Sequence, residues 1–283
     1  MLSLRSRKIF GRYMNMKLKI LSTVLLLSLA IPALAQLQIR TRGDKISDFR
    51  TRVTKVVLTG DETLDASIRE AVKSFWTITP YEICTEEEFK SLKTDETLYF
   101  LAVSPDGDGL RHWFLVKGGG SAKAKVPSMV TVVSAPICAA DTLSGREPQL
   151  LQALAVALQK AVDNDFKGID NIASSPQKAA LIPIILAEEE INPSVDEVIR
   201  KSFGKKNMSA VPAAEADSIF SEGENAAVAF SVSPKEAAKG GSSYVYLFNA
   251  SDFRLYYFKK HKIKSPSDKG ITLEDLKAFA KGR

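Results

Sequence analysis

Apolar and polar positions along this chain follow two rhythms, and the two recur in the same order twice. A β-rich run, "VTKVVLTG" (53–60), closes on Gly60. "DASIREAVKSFW" (65–76) then sets Ile68, Ala71, Val72 and Phe75 at helical spacing, with Asp65 as the expected N-cap. A short strand "ITPYEIC" (78–84) precedes "TEEEFKSLK" (85–93). Thr85 and Glu88 in that segment are placed as a capping box. Three strands are predicted next, "TLYFLAVS" (97–104), "HWFLVK" (112–117) and "MVTVVSA" (129–135), before an amphipathic helix over 148–163. The order is β-α-β-α-β-β-β-α.

From residue 182 the same order is read again. "IPIILA" (182–187) is a strand with Pro183 at its start. A helix over 192–203 has Asn192 at its cap and Pro193 at its first position. "NMSAVP" and "AAEADSIF" give a strand and a short helix. Strands at 225–233, 243–248 and 254–261 lead to a closing helix over 272–281. Asp65 aligns with Asn192 at an offset of 127 and the two "KSF" triplets (73–75, 201–203) at 128. The triplet "VSP" ends "YFLAVSP" (99–105) and "VAFSVSP" (228–234) at 129. Slow drift of this kind is what small loop insertions produce in a duplicated unit. The fold class is therefore α/β with α+β-type sheets, in two tandem, related domains.

The ends bound the domains. Residues 1–35 read as an export signal: a basic start, the apolar core "ILSTVLLLSLAI", and Ala33-Leu34-Ala35 before a cut. That core is shorter than the roughly 20 residues a membrane span needs, so no transmembrane anchor is expected once it is removed. Met1, Met14 and Met16 are alternative starts. Residues 36–52 are a polar arm, 53–165 the first domain, 166–178 a linker rich in Asn, Asp, Ser and Pro, and 179–283 the second domain.

Removing the leader changes the charge picture. The 39 Lys and Arg exceed the 33 Asp and Glu, but Arg5, Arg7, Lys8, Arg12, Lys17 and Lys19 lie in the leader. The remaining chain is balanced, so its overall charge offers no footprint for nucleic acid.

Residues 54–101, "TKVVLTGDETLDASIREAVKSFWTITPYEICTEEEFKSLKTDETLYFL", resemble a family of exported, functionally uncharacterised proteins of the Bacteroides group. Shared features are the Lys-Val-Val-Leu-Thr-Gly strand, the Trp, the Pro-Tyr-Glu segment and the acidic Glu-Phe helix. The resemblance covers the first half well and the second by pattern only. It implies a periplasmic or secreted location and brings no activity, cofactor or catalytic residue. A fainter likeness is to small α/β domains of envelope assembly factors.

Candidate chemistry is sparse. Asp106 and Asp108 in "SPDGDGL" have calcium-loop spacing, yet the twelfth position is Lys117 and a strand-joining turn is expected instead. "KGGGSAKAK" (117–125) lacks a Gly-Lys-Ser/Thr and reads as a mobile hairpin loop. His112 and His261 are taken as surface strand residues without a nearby acid, and no G-x-S-x-G elbow occurs. Glu86–Glu88 and Glu188–Glu190 read as solvated charge runs. No catalytic residue, metal ligand or cofactor is assigned.

Two features remain open. Cys84 and Cys138 are a candidate disulfide in an oxidising compartment, with two free thiols or a redox role as the alternatives. Tyr244, Tyr246 and Phe248 share one face of a strand, and Tyr256 and Phe258 one face of the next. They are either a sheet face packed on helices or an exposed surface for a partner, flanked by Lys259, Lys260 and Lys262. The leading function is a non-enzymatic binding or assembly module of the envelope, with an envelope protein as partner. The alternative is a hydrolase-type enzyme with its site between the domains.

Overall fold

The computed structural model describes residues 46–179, 181–195, 201, 203, 207–236, 240–265 and 268–281. The segment expected to be an export signal and nearly all of the expected arm lie outside the described residues, as do 196–200 and 202 of the helix expected over 192–203. From Phe49 to Arg283 the chain is one compact unit.

The first half contains β1 (Thr54–Val57), α1 (Glu62–Phe75), β2 (Tyr81–Cys84), α2 (Glu86–Leu92), β3 (Tyr99–Pro105), β4 (Leu110–Lys117), β5 (Val130–Ala139) and α3 (Glu147–Asp163). The second contains β6 (Ile184–Ala187), β7 (Met208–Val211), α4 (Ala213–Ser221), β8 (Ala227–Val232), β9 (Ser242–Asn249), β10 (Leu255–Lys262) and α5 (Leu273–Ala280). The fold is α/β, with two five-stranded mixed sheets.

The sheets have the same topology. One runs β2-β1-β3-β4-β5; the other, read from the matching edge, runs β7-β6-β8-β9-β10. In each, the first strand pairs parallel with the second and third, and the last two strands add antiparallel. Even the entry contacts repeat. Thr54 N donates to Pro80 O as Ile184 N does to Asn207 O, and Tyr99 N to Val53 O as Ala227 N does to Pro183 O.

Two sequence details shift. The α1 cap is Asp61, whose side chain accepts from Thr63 N and Leu64 N. Asp65 instead reaches back to the Thr59 N–H, the Thr59 hydroxyl and the Gly60 N–H. The sheet registers equate Tyr99 with Ala227, an offset of 128. The "VSP" triplets, matched at 129, are therefore one residue out of register, and a slip of one places side chains on opposite faces. The α2 capping box of Thr85 and Glu88 forms as expected.

Each sheet buries apolar side chains on both faces. In the first, Val57, Phe100, Ala102, Phe114 and Val116 pack with Phe89 of α2 and with Val126 and Met129 of the β4–β5 connection. In the second, Ile184, Leu186, Ala229, Val245 and Leu247 pack with Leu276 and Phe279 of α5. Each of the larger side chains, the two alanines apart, contributes about 1.5–3 kcal/mol on burial.

The β4–β5 connection is not the mobile loop expected. Gly118 N donates to Leu98 O, Gly119 N to Lys93 O, and Lys93 Nζ to Ala124 O at 2.8 Å. A Cβ at Gly118 would lie 2.0 Å from Asp95 O, so only glycine allows this close approach. The loop is thereby pinned over the α2 face of its own sheet. The second half joins β9 to β10 by residues 250–254 alone, too short to cover the equivalent face. That face is covered by the first half.

Candidate functional site

The joint between the halves is built from the aromatic group. Phe114 and Val116 occupy the places that Tyr246 and Phe248 hold in the second sheet. Tyr244, Tyr246, Phe248 and Tyr256 are all buried. The Tyr246 hydroxyl donates to Pro136 O at 2.9 Å, and the Tyr244 ring meets His112 edge-on at 5.8 Å. Phe258 stacks on Tyr244 and tilts onto Tyr246. This face is therefore not an exposed surface: Tyr244 and Tyr246 pack against the chain's own first half. Nor do Tyr256 and Phe258 share a role. A bulge between Leu255 and Tyr257 moves Tyr256 into the cluster with Val245, Leu247 and Phe279.

At the edge of this joint Arg146, 4% exposed, enters the second half. Its Nη1 donates to Glu190 Oε2 at 2.6 Å and to Ala229 O at 3.1 Å, and its Nε to Asp217 Oδ1 at 2.7 Å. The guanidinium carbon lies 4.2 Å from the Phe230 ring centroid. Glu190 Oε2 also accepts from Ser231 N at 2.9 Å. Burial works against the guanidinium's charge, but the two carboxylates outweigh it and its pKa rises. Desolvation lifts the Glu190 carboxyl to about 7, against the pull of Arg146 and the Ser231 N–H. Glu190 is thus not part of a solvated run, although Glu188 and Glu189 are exposed. Gly270 permits the loop crossing here: its φ is +83°, and a Cβ would stand 2.6 Å from Glu190 O. A cavity of about 170 Å³ adjoins, lined by Cys138, Ser144, Arg146, Glu190, Ser231, Ser233 and Lys235 among others.

The matching place in the first half is open. In an open α/β sheet, the crevice lies at the carboxyl ends of strands whose outgoing connections diverge. In this chain β1 is that strand, with β2 on one side and β3 on the other. A cavity of about 780 Å³ occupies the spot. It is walled by Val57–Asp61, by Glu86, Phe89, Lys90 and Lys93 of α2, by Ala102–Pro105 of β3, by Arg111, and by Ala124–Val126 of the pinned loop. A second hollow of about 620 Å³ shares Ser104, Pro105 and Lys125 with it and adds Lys123.

Equivalent positions explain why one crevice is filled and the other open. Ala102 lies where Phe230 lies in the second half, so the first crevice lacks the ring on which Arg146 rests. Aligning the helix caps, Thr85 with Pro212, puts Lys90 opposite Asp217. The second crevice is acidic and holds a guanidinium; the first is lined by Lys90, Lys93, Arg111 and Lys125 against Asp61 and Glu86. Lys90 pairs with Glu86 at 2.9 Å. Arg111 Nε donates to Ala140 O, and no ion pair is formed by Arg111, Lys123 or Lys125 among the described residues. Asp61 already caps the α1 amides of Thr63 and Leu64, and Asp65 takes the Thr59 and Gly60 N–H groups before the helix, so the cations, not the helix end, set the site's preference.

Both histidines face acids. His112 is 4% exposed, and its Nε2 lies 3.1 Å from Asp108 Oδ2; Asp108 is four residues away in sequence. His261 Nε2 lies 2.8 Å from Asp275 Oδ1. Neither is a surface residue without an acid.

Cys84 and Cys138 are buried free thiols. They sit on β2 and β5, the opposite edges of one five-stranded sheet. Four strand spacings of about 4.8 Å separate them by roughly 19 Å, while a disulfide requires Cα atoms within about 7 Å. Of the alternatives left open by the sequence, the structure has the two free thiols. Burial pushes the Cys138 thiol up to about 12, away from nucleophile or redox chemistry.

Among the described residues, no helix is long and apolar enough to cross a membrane. No protein-family description, curated protein or solved structure matches this chain.

Proposed function

We propose that this chain is an exported binding module of the cell envelope that takes an acidic small molecule, carrying carboxylate or phosphate, in the crevice of its first half. One observation carries the reading: the two halves repeat one crevice, and the acidic copy is closed by Arg146 while the basic copy is open. At about 780 Å³ it falls within the size range of small-molecule sites. Phe89, Ala102 and Val126 supply an apolar floor, and the cations rim it. The locked joint makes the halves a rigid scaffold rather than a hinge, which suits a binding role.

Titration calorimetry with citrate and with inorganic phosphate tests this. Saturable binding that weakens with salt is expected, and Lys90→Glu with Lys125→Glu should lose it while the fold persists. Binding that ignores both substitutions, or none of either anion, counts against the reading.

A hydrolase-type site between the halves is the second reading, and the raised Glu190 carboxyl beside the joint cavity favours it. That carboxyl is, however, already engaged by Arg146 and Ser231, and about 170 Å³ is small for a substrate. Ester hydrolysis abolished by Glu190→Gln in a folded protein would shift the balance to it.

A further inference from the structure

The two histidine–aspartate pairs look alike until their remaining contacts are counted out. Asp275 is fully buried and saturated: Oδ1 accepts from the Tyr257 hydroxyl beside His261, and Oδ2 from the Thr272 N–H and hydroxyl. It caps α5 and has no capacity left. Asp108 also meets a histidine and a tyrosine, His112 Nε2 at 3.1 Å and the Tyr244 hydroxyl at 3.2 Å. Its Oδ1 accepts from Leu110 N at 3.1 Å. Here, however, a second carboxylate stands alongside. Asp106 is exposed, and one oxygen of each Asp and one nitrogen of His112 lie within 4.8 Å of one another.

We infer that Asp106, Asp108 and His112 form a binding site for a first-row divalent cation, with Zn²⁺ as its probe. An imidazole nitrogen with two carboxylate oxygens is a donor set that such ions take, and it leaves positions for water. Bonds of about 2.0–2.2 Å give tetrahedral edges of roughly 3.3–3.6 Å, so the exposed Asp106 carboxylate closes onto the ion from within the 4.8 Å limit. Positive φ at Gly107 (+76°) and Gly109 (+85°) turns the chain so that both carboxylates face the β4 histidine. Pro234 of the second half packs against Gly109, where an added Cβ would meet it at 3.1 Å, and so backs the turn. The ion takes the place of the proton between His112 Nε2 and Asp108 Oδ2, so that both atoms turn a lone pair to the metal. Asp106 forms the solvent-facing entry. The opposing group is Lys260, which bonds Tyr244 and is drawn by both carboxylates; ion binding releases it to solvent. The set lies on the first half's turn with Tyr244 of β9 behind it, so the ion also tightens the joint.

Calorimetric titration of the whole chain with Zn²⁺ decides. One saturable equivalent is expected, accompanied by a rise in melting temperature. Asp106→Asn, at an exposed position where folding is not at stake, should weaken binding by about tenfold or more. Glu274→Gln, an exposed carboxylate elsewhere, should leave it unchanged. The inference is overturned if the unaltered chain takes up no stoichiometric Zn²⁺, if Asp106→Asn binds equally well, or if Glu274→Gln weakens it as much.

Discussion

Arg146 Nη1 stands 2.6 Å from Glu190 Oε2, joining the loop before α3 to the turn after β6 across the buried joint. The same guanidinium takes Asp217 through Nε. One side chain from the first half therefore neutralises two carboxylates of the second. Among the described residues Arg146 is the ion-pair partner of both acids, so the halves depend on each other electrostatically as well as through their aromatic rings.

Arg146→Met is expected to lower stability by up to about 3–5 kcal/mol, because it leaves two largely desolvated carboxylates without their counter-ion. Urea unfolding measures the loss. Arg146→Met combined with Glu190→Gln and Asp217→Asn should regain much of it, since no uncompensated charge is then buried. A triple variant as unstable as the single one would mean that shape, not charge, holds the joint.

Stability should vary with pH on both sides of an optimum. Glu190 titrates near 7 when folded, against about 4.3 when exposed. Between those values the folded chain holds a proton that the unfolded chain has released, so this group's contribution falls as pH rises through that window. Asp108 and Asp275 act oppositely. Burial works against their charge, but bonds to His112 and His261 prevail and hold both below the ordinary carboxylate range. Their contribution is present above about pH 4 and lost as pH falls through their folded values. Glu190→Gln should flatten the neutral-side decline in denaturation midpoints and leave the acid limb in place.

Tyr246→Phe removes the buried hydrogen bond to Pro136 O, for an expected cost of about 1 kcal/mol. Replacing Tyr244 and Tyr246 together by Ser opens the joint and should cost on the order of 5 kcal/mol. Thermal unfolding distinguishes this from a surface role, in which the double variant would melt with the unaltered protein.

Both cysteines should resist thiol reagents in the folded protein, since each is buried and the Cys138 thiol is raised to about 12. Unfolded without reductant, two thiols per chain should label. A requirement for reductant before labelling would restore the disulfide.

Much of the fold was legible because it is local. The capping box at Thr85 and Glu88, the period-3.6 face of α1 and the apolar runs of β3 and β8 each state their own element. The repeated order identified the duplication, and both sheets share its topology. Local evidence failed where one residue mattered. "VSP" matches at 129 while the sheets pair at 128, because a triplet identity does not report hydrogen-bond register. Asp61 took the cap expected of Asp65, two good acceptors four residues apart being indistinguishable by type.

The candidate sites were less legible, since none lies within one motif. Lys90, Arg111 and Lys125 meet only when the sheet brings α2, β4 and the β4–β5 connection together. The Asp108–His112 spacing was present in the sequence, but a four-residue separation across a turn announces no contact until the hairpin closes. Glu190 looked solvated among three glutamates; burial of one depended on an arginine 44 positions away.

Which segments are strands and helices, their order and its repetition can all be read along the chain, because they follow from the spacing of apolar side chains and from caps within a few residues. What covers each repeated sheet depends instead on contacts between residues far apart in the chain. A twelve-residue connection in one half and a five-residue turn in the other changed what covers the same sheet face. That difference buried the tyrosines, sent Arg146 into one crevice, and left its basic twin open.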